Sequence, residues 1–460
     1  MQLPIPPTSA AERAFPRRSL TVWHAISVCI GMVIGAGIFR TTPLAAANVS
    51  SDLMLLAVWG FGGAMSLAGA LCFAEMAAAF PDAGGDYFFL RKAYGEKLGF
   101  LFAWSRFAVI HTGSMALLAF ALGDYVAEIL QVGGNTSALF ASLVIVVLAV
   151  VNLAGIRFGV GTQVTLMLLV LAGLLCVGAA GVWLSITGAP PMTAAVAPSG
   201  VVPQASIGAA LVFVFLAYGG WSDAATLSAE MRDQDRGMKH ALVVGMAIIT
   251  AFYLLVNWAF LRGLTLTGLA ASSAPAADLM LLAFGRPGQL LIVVAVALTS
   301  ITVMNASLIA GARTTYAAAR DIGSLRRLSS WHVVRGTPSA AIIAIAAVAL
   351  ALVGFGTYTR GGFATMVDYL SPVYWLFLTL SGFALIILRR RYPQMRRPFR
   401  VPLYPVLPIV FTASSVYVLY STLAYVRIGA VVGVAVLLFG ALLLIPLRWL
   451  ARRRARGLLN

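Results

Sequence analysis

Two glycine clusters carry the main chemical signal in this chain of 460 residues. The first reads Gly31-Met32-Val33-Ile34-Gly35-Ala36-Gly37-Ile38-Phe39, the second Phe215-Leu216-Ala217-Tyr218-Gly219-Gly220-Trp221. Both lie inside long apolar stretches, where each glycine costs a helix about 1 kcal/mol relative to alanine. Paired glycines in the middle of such a stretch predict local unwinding. Unwinding bares N–H groups at the start of one half-helix and C=O groups at the end of the other. The N–H end carries the positive end of the helix dipole and receives a carboxylate, while the carbonyl end receives an ammonium. One site then recognises a zwitterion by main-chain dipoles, with no buried charged side chain. The amides of Gly35, Ala36 and Gly37 are the expected carboxylate seat. Carbonyls near Val33, Ile34 and Phe215–Ala217 are the expected amine seat, with Tyr218 and Gly219 completing the second stretch. Gly31 and Gly35 also form a G-x-x-x-G, the small-residue contact of packed membrane helices, so one cluster alone would not decide the matter. Two clusters at corresponding positions favour a binding site.

Ionisable residues within apolar stretches are costly and mark candidates for function. Arg40 falls one turn beyond Gly37, where it would repel a cationic substrate. At ~8 Å and an effective dielectric of 20, a unit charge there is worth roughly 2 kcal/mol. The alternatives are snorkelling and an ion pair with a loop carboxylate such as Asp52. Asp223 follows Gly220 by one turn and suits proton coupling, an amine contact, or a structural pair with Arg106. His111 could titrate near neutral pH, or be a buried, hydrogen-bonded histidine. Glu230 and Arg313 belong at the inner ends of their helices as gate contacts. Glu75 and Asp86 flank the first inner loop, with Asp86 a loop or gate residue rather than a substrate ligand. Trp221 reads as packing. No nucleophile–base pair and no phosphate-binding loop is present, so an enzyme, an ATP-driven pump and a cofactor are not expected. Cys29, Cys72 and Cys176 lack ligand-like spacing, which argues against a disulfide framework or a metal site.

The elements that must position these groups follow from composition. The chain is 61% hydrophobic and 10% charged, with a mean hydropathy of +0.94. A soluble protein carries roughly a quarter charged residues, so most of this surface must face hydrocarbon. Apolar segments long enough for a bilayer about 30 Å thick run near 21–46, 53–79, 98–128, 136–155, 163–187 and 206–230. Six more run near 240–261, 288–319, 339–356, 363–388, 403–425 and 428–450. An all-α membrane protein with twelve spans is the expectation, since lipid satisfies no open sheet edge. The polar stretch 1–20 is a cytoplasmic tail rather than an ordinary signal peptide. Of 32 lysines and arginines, 25 fall on one side when both termini are placed in the cytoplasm. The basic tail 451–460 is then an anchor on anionic lipid, and the net charge of +17 does not imply nucleic acid. Each glycine cluster sits in the first helix of a five-helix block. Spans 1–5 (21–187) and 6–10 (206–388) thus read as inverted repeats with a site at the midplane, followed by spans 11 and 12 (403–450).

At these residues the chain resembles the amino acid–polyamine–organocation superfamily, in particular its L-type amino acid transporter branch. Besides the two clusters, the resemblance rests on Ala74-Glu75-Met76, on 81–87, on Glu230, on Asn305 through Arg313, and on Arg397-Pro398-Phe399-Arg400-Val401-Pro402. It implies a leucine-transporter-like fold with helices 1 and 6 unwound, and alternating access for amino acids. It also implies carboxylate binding at Gly35–Gly37 and amine binding at 215–219, and it adds Asn305 to the gating and coupling candidates. Three departures stand out. Ala36 replaces a serine common in the family, Leu216 replaces an aromatic gate (leaving occlusion to Phe215 or Tyr218, or making it looser), and Val170 occupies the place of a lysine that stands in for sodium. Coupling to a proton, coupling to sodium and plain exchange all stay open, as does a homo-oligomer. The 129–136 loop has no cysteine, so a disulfide-linked heavy chain is not expected. The expected function is secondary transport of L-amino acids, neutral ones in view of Arg40, across a bacterial cytoplasmic membrane. The alternatives are a cationic amino acid or polyamine antiporter and an amino-acid sensor that does not transport.

Overall fold

In the computed structural model the described residues are 21–35, 37–81, 85–130, 136–154, 160–192, 206–224, 231–233, 237–322, 328, 330, 337–359, 361–424 and 428–455. They form α1 (Val22–Val33), α2 (Gly37–Ala46), α3 (Asp52–Ala79), α4 (Asp86–Tyr94), α5 (Glu96–Ser105) and α6 (His111–Leu130). Then come α7 (Thr136–Leu153), α8 (Val160–Thr187), α9 (Ile207–Ala217), α10 (Gly237–Ala271) and α11 (Pro275–Ile322). The last four are α12 (Ser339–Tyr358), α13 (Gly362–Arg391), α14 (Val406–Ala424) and α15 (Ile428–Ala455). A π turn, Arg106–Ile110, joins α5 to α6 without ending the helical rod. Among the described residues eleven helical stretches are long and apolar enough to cross a membrane. The number becomes twelve if α1 and α2, bent by 49° relative to each other, are one span.

Local sequence explains where the helices begin. Ser51 and Ser206 accept hydrogen bonds from the amides of Met54 (3.2 Å) and Ala209 (3.3 Å), which caps α3 and α9. On α7, Leu139, Leu143, Val146, Val147 and Val150 are exposed, while Ala141, Ile145, Leu148 and Asn152 on the opposite face are buried. Exposed aliphatic stripes at helical spacing are what a lipid-facing helix presents. Water drives no association between helices in hydrocarbon, so close contact of small residues matters more. The closest approaches are of that kind. A Cβ on Gly433 would land 2.0 Å from the Tyr369 carbonyl oxygen, and one on Gly440 would land 2.0 Å from the Trp104 indole.

Two long helices contain breaks that composition does not announce. α10 turns at Thr265 (φ 58°) and α11 at Gly285 (φ 67°). The intervening segments, read in the sequence as a loop between 261 and 288, are therefore partly helical. They were too short and too polar to register as spans. α4 was missed for the same reason.

At one end of the bundle, the fully buried Glu75 of α3 ties down the α13–α14 connection. Arg389 donates to both its carboxylate oxygens, at 2.7 Å from Nε to Oε1 and more closely from Nη2 to Oε2. Arg397 lies 3.4 Å away, and the Val401 amide donates at 2.7 Å. A buried carboxylate with this many donors is fully compensated.

Candidate functional site

The interruptions of the first and sixth apolar segments meet at the centre of the bundle. α1 ends where the Ile34 amide bonds the Ile30 carbonyl at 2.8 Å, and helix resumes at Gly37. α9 ends at Ala217, followed by a turn at 218–220 and a short 3₁₀ segment at 221–224. The Gly219 amide bonds the Leu216 carbonyl at 3.0 Å, and the Asp223 amide bonds the Gly220 carbonyl at 3.1 Å. Gly220 has φ 101°, and a Cβ there would lie 2.5 Å from the Met32 carbonyl oxygen. Only glycine lets these two main chains touch.

Between them lies a cavity of ≈ 130 Å³. Of the residues proposed from sequence, Val33, Gly35, Gly37, Leu216, Ala217 and Gly219 line it, together with His111 and Asp223. Ala36 lies outside the described residues. The other three are turned into packing. Ile34 is buried, and Phe215 stacks edge-on against Trp375 at 5.4 Å. Tyr218 packs against Tyr253 (4.9 Å) and donates to the Trp59 carbonyl at 3.0 Å. The aromatic cover expected from Phe215 or Tyr218 is thus absent from the cavity lining in this conformation, because both rings complete the core around α3, α10 and α13.

Sequence reasoning missed several residues that matter. The buried Tyr253 hydroxyl of α10 lies 2.9 Å from the Ala217 carbonyl and 3.2 Å from the Val33 carbonyl, so it bridges the two helix ends. Two carbonyls of the expected amine seat therefore already share one donor. Tyr374 of α13 lines the cavity, as does Thr41, whose buried hydroxyl has no hydrogen-bond partner among the described residues. A tyrosine within an apolar run carries no spacing signal that marks it out.

Below the break in α9, a charged cluster closes one end of the cavity. Arg106 Nη2 lies 2.6 Å from Asp223 Oδ1, the pairing anticipated from sequence, and Arg106 Nε donates to His111 Nε2 at 3.0 Å. In an α-helix, residues five apart are separated by about 140° around the axis. The π turn brings them onto one face instead, and the His111 amide closes it on the Arg106 carbonyl. Because Nε2 accepts, the His111 ring is neutral in this arrangement.

The remaining candidates lie elsewhere. Arg40 pairs with Asp124 of α6 (Nη2 to Oδ2, 2.7 Å) rather than with Asp52, bonds the Ser273 carbonyl, and lies 5.3 Å from the Phe363 ring centroid. Asn305 is buried and bonds the Asn152 side chain at 2.7 Å, linking α11 to α7. Arg313 is exposed, and Glu230 lies outside the described residues. Trp221 is wedged against Phe73 at 5.0 Å and Phe411 at 6.2 Å, a packing position.

The family model for amino acid permeases matches residues 20–445. The chain is 29% identical over 416 residues to the serine/threonine exchanger SteT of Bacillus subtilis (strain 168), covering 88% of this chain and 91% of that protein. It is 29% identical over 414 residues to the human b(0,+)-type amino acid transporter 1, covering 87% and 82% respectively. It is also 27% identical over 429 residues to the human cystine/glutamate transporter, covering 92% and 84%.

Proposed function

The chain belongs to the amino acid permease family, and from that premise we propose that it is a secondary transporter exchanging small neutral L-amino acids by alternating access. The observation that carries this reading is the ≈ 130 Å³ cavity seated between two interrupted helices and lined by Gly35, Gly37, Gly219 and Gly220. Its volume corresponds to about four water molecules in the liquid, which suits an amino acid with few side-chain atoms. Exchange accords with the relatives, one of which is a serine/threonine exchanger.

In this reading the Gly35–Gly37 amides at the start of α2 hold the substrate carboxylate. The amine takes the carbonyls at the ends of α1 and α9, displacing the Tyr253 hydroxyl from Val33 and Ala217. The unpartnered Thr41 hydroxyl gains a partner from the substrate. Spans 1–5 and 6–10 act as inverted repeats with α1/α2 and α9 as their unwound members, which the matching ends of α1 at Val33 and of α9 at Ala217 support. Both termini face the cytoplasm, by the distribution of lysine and arginine, and the chain works without a disulfide-linked partner. Arg40 lies beyond the carboxylate seat and pairs with Asp124, so the charge that would draw in a cationic substrate is offset there.

The test is counterflow in proteoliposomes with a panel of labelled amino acids, varying internal amino acid, sodium and pH separately. Serine, threonine and alanine should enter faster when the lumen holds one of them. No stimulation by any internal amino acid, or a preference for tryptophan over serine, would refute the proposal.

A further inference from the structure

Asp86 opens α4, outside the spanning helices, yet only 6% of it is exposed. Its Oδ1 has no hydrogen-bond partner among the described residues, an unusual state for a buried carboxyl. The groups around it come from three elements. Arg106 of the π turn attracts its charge, Asp223 past the end of α9 repels it, and Tyr374 of α13 also senses it. The Ser222 hydroxyl helps to hold the anion. His111 contributes no charge, because it accepts from Arg106. Asp82 and Glu230 lie outside the described residues.

The cluster therefore sets two carboxylates against one guanidinium. Asp223 takes the direct bond to Arg106. Among the described residues Asp86 has the free oxygen and no direct ion pair, and two nearby carboxylates in a dry site do not readily ionise together. We propose that Asp86 is a proton site and that its proton sets how tightly Arg106 holds Asp223, making transport depend on pH. This rests on the transporter reading above. The proton is taken from water on the α4 side, binds Oδ1 and returns the same way. No other bond is made or broken. Burial foremost, with help from Asp223, pushes the carboxyl up to about 7 against the opposing pull of Arg106, so the exchange of this proton falls near neutrality.

With Asp86 protonated, Arg106 belongs to Asp223 alone and the cluster is neutral. With Asp86 ionised, Arg106 is shared. Asp223, which lines the cavity at its carbonyl end, is then released towards the substrate amine. Proton occupancy on one side of the break thus becomes affinity on the other.

The experiment is an infrared titration of the purified wild-type protein and of Asp86→Asn in lipid, followed by exchange of labelled serine over the same pH range. The wild type should show a protonated-carboxyl carbonyl band that falls roughly tenfold in occupancy between about pH 6 and pH 8, and Asp86→Asn should lack that band. Exchange by the wild type should change across the same window. Asp86→Asn should hold the low-pH rate throughout, whereas Glu96→Gln, which removes an exposed carboxylate paired with Arg91, should titrate like wild type. A band that persists in Asp86→Asn, or a variant with the wild-type pH profile, overturns the proposal. If Asp86→Asn proved inactive, the infrared titration alone would decide. If the wild type moved no amino acid at any pH, the transporter reading would fall while the band still reported on the proton site.

Discussion

Replacing Gly220 by alanine tests whether the two interrupted helices must touch for the site to work. The backbone there sits at φ 101°, a conformation costing an L-residue about 1–2 kcal/mol. The new Cβ would also lie 2.5 Å from the Met32 oxygen and 3.1 Å from its carbon. Relief of that overlap requires the end of α1 and the 218–220 turn to separate by about 1 Å, since carbon contacts settle near 3.5 Å. A misplacement of about 1 Å costs a preorganised site roughly 100-fold in rate. Gly188 supplies the control, because its φ is also positive (66°) but a Cβ there meets nothing within 4 Å. Gly188→Ala should therefore lose about 1 kcal/mol of stability and exchange serine normally. Gly220→Ala should lose about two orders of magnitude in exchange while still unfolding cooperatively on heating in detergent. If Gly220→Ala exchanged within about threefold of wild type, the close approach would have no role and the reasoning would fail.

Three further outcomes follow. Glu75→Gln should leave the half-buried Arg389 and Arg397 beside a neutral amide and destabilise the protein by about 3–5 kcal/mol. Thermal unfolding should show this, and Arg389→Ala in the same background should add little. Arg40→Ala should expose an unpaired Asp124 and admit lysine as a competitor of serine uptake, and Asp124→Asn in the same chain should restore exclusion. An unchanged substrate profile in the single variant would remove the argument for neutral substrates. The Asp86 carboxyl binds its proton more tightly in the folded protein than its ordinary value of 3.8 allows. The native state therefore keeps a proton that the unfolded chain releases, and stability should fall as pH rises from about 4 to about 7. Melting temperatures of Asp86→Asn should lack that decline.

How much of this was legible in the sequence depended on the length scale of the signal. Helices of twenty apolar residues announce themselves, because hydrocarbon leaves the backbone no other partner, and every expected span has a helix beneath it. The glycine pairs at 35–37 and 219–220 were legible for a related reason, since glycine is tolerated in a spanning helix mainly where it does something. Short amphipathic pieces such as α4 fell below that resolution. Side-chain pairings were legible only when depth in the membrane limited the candidates. Arg106 and Asp223 lie at one depth and meet, whereas Arg40 was matched to the nearby loop carboxylate Asp52 and instead finds Asp124 of α6, far along the chain. Tyr253 could not have been found, because its role comes from where α10 passes rather than from anything beside it in the chain. Phe215 and Tyr218 illustrate the converse. Their position next to the break suggested a lid, but the rotation of α9 points both rings into neighbouring helices.

The surplus residue wound into span three at Arg106–Ile110 behaves like a dislocation in a crystal. It marks a place where the lattice of the rod slips by one unit without coming apart. Moving it along by one position would break one backbone hydrogen bond, make another, and swing Arg106 through about 100°, away from Asp223. A fault of this kind lets a stiff rod re-index one of its faces while its two ends stay anchored. A rigid scaffold can in that way house a moving part no longer than a single turn.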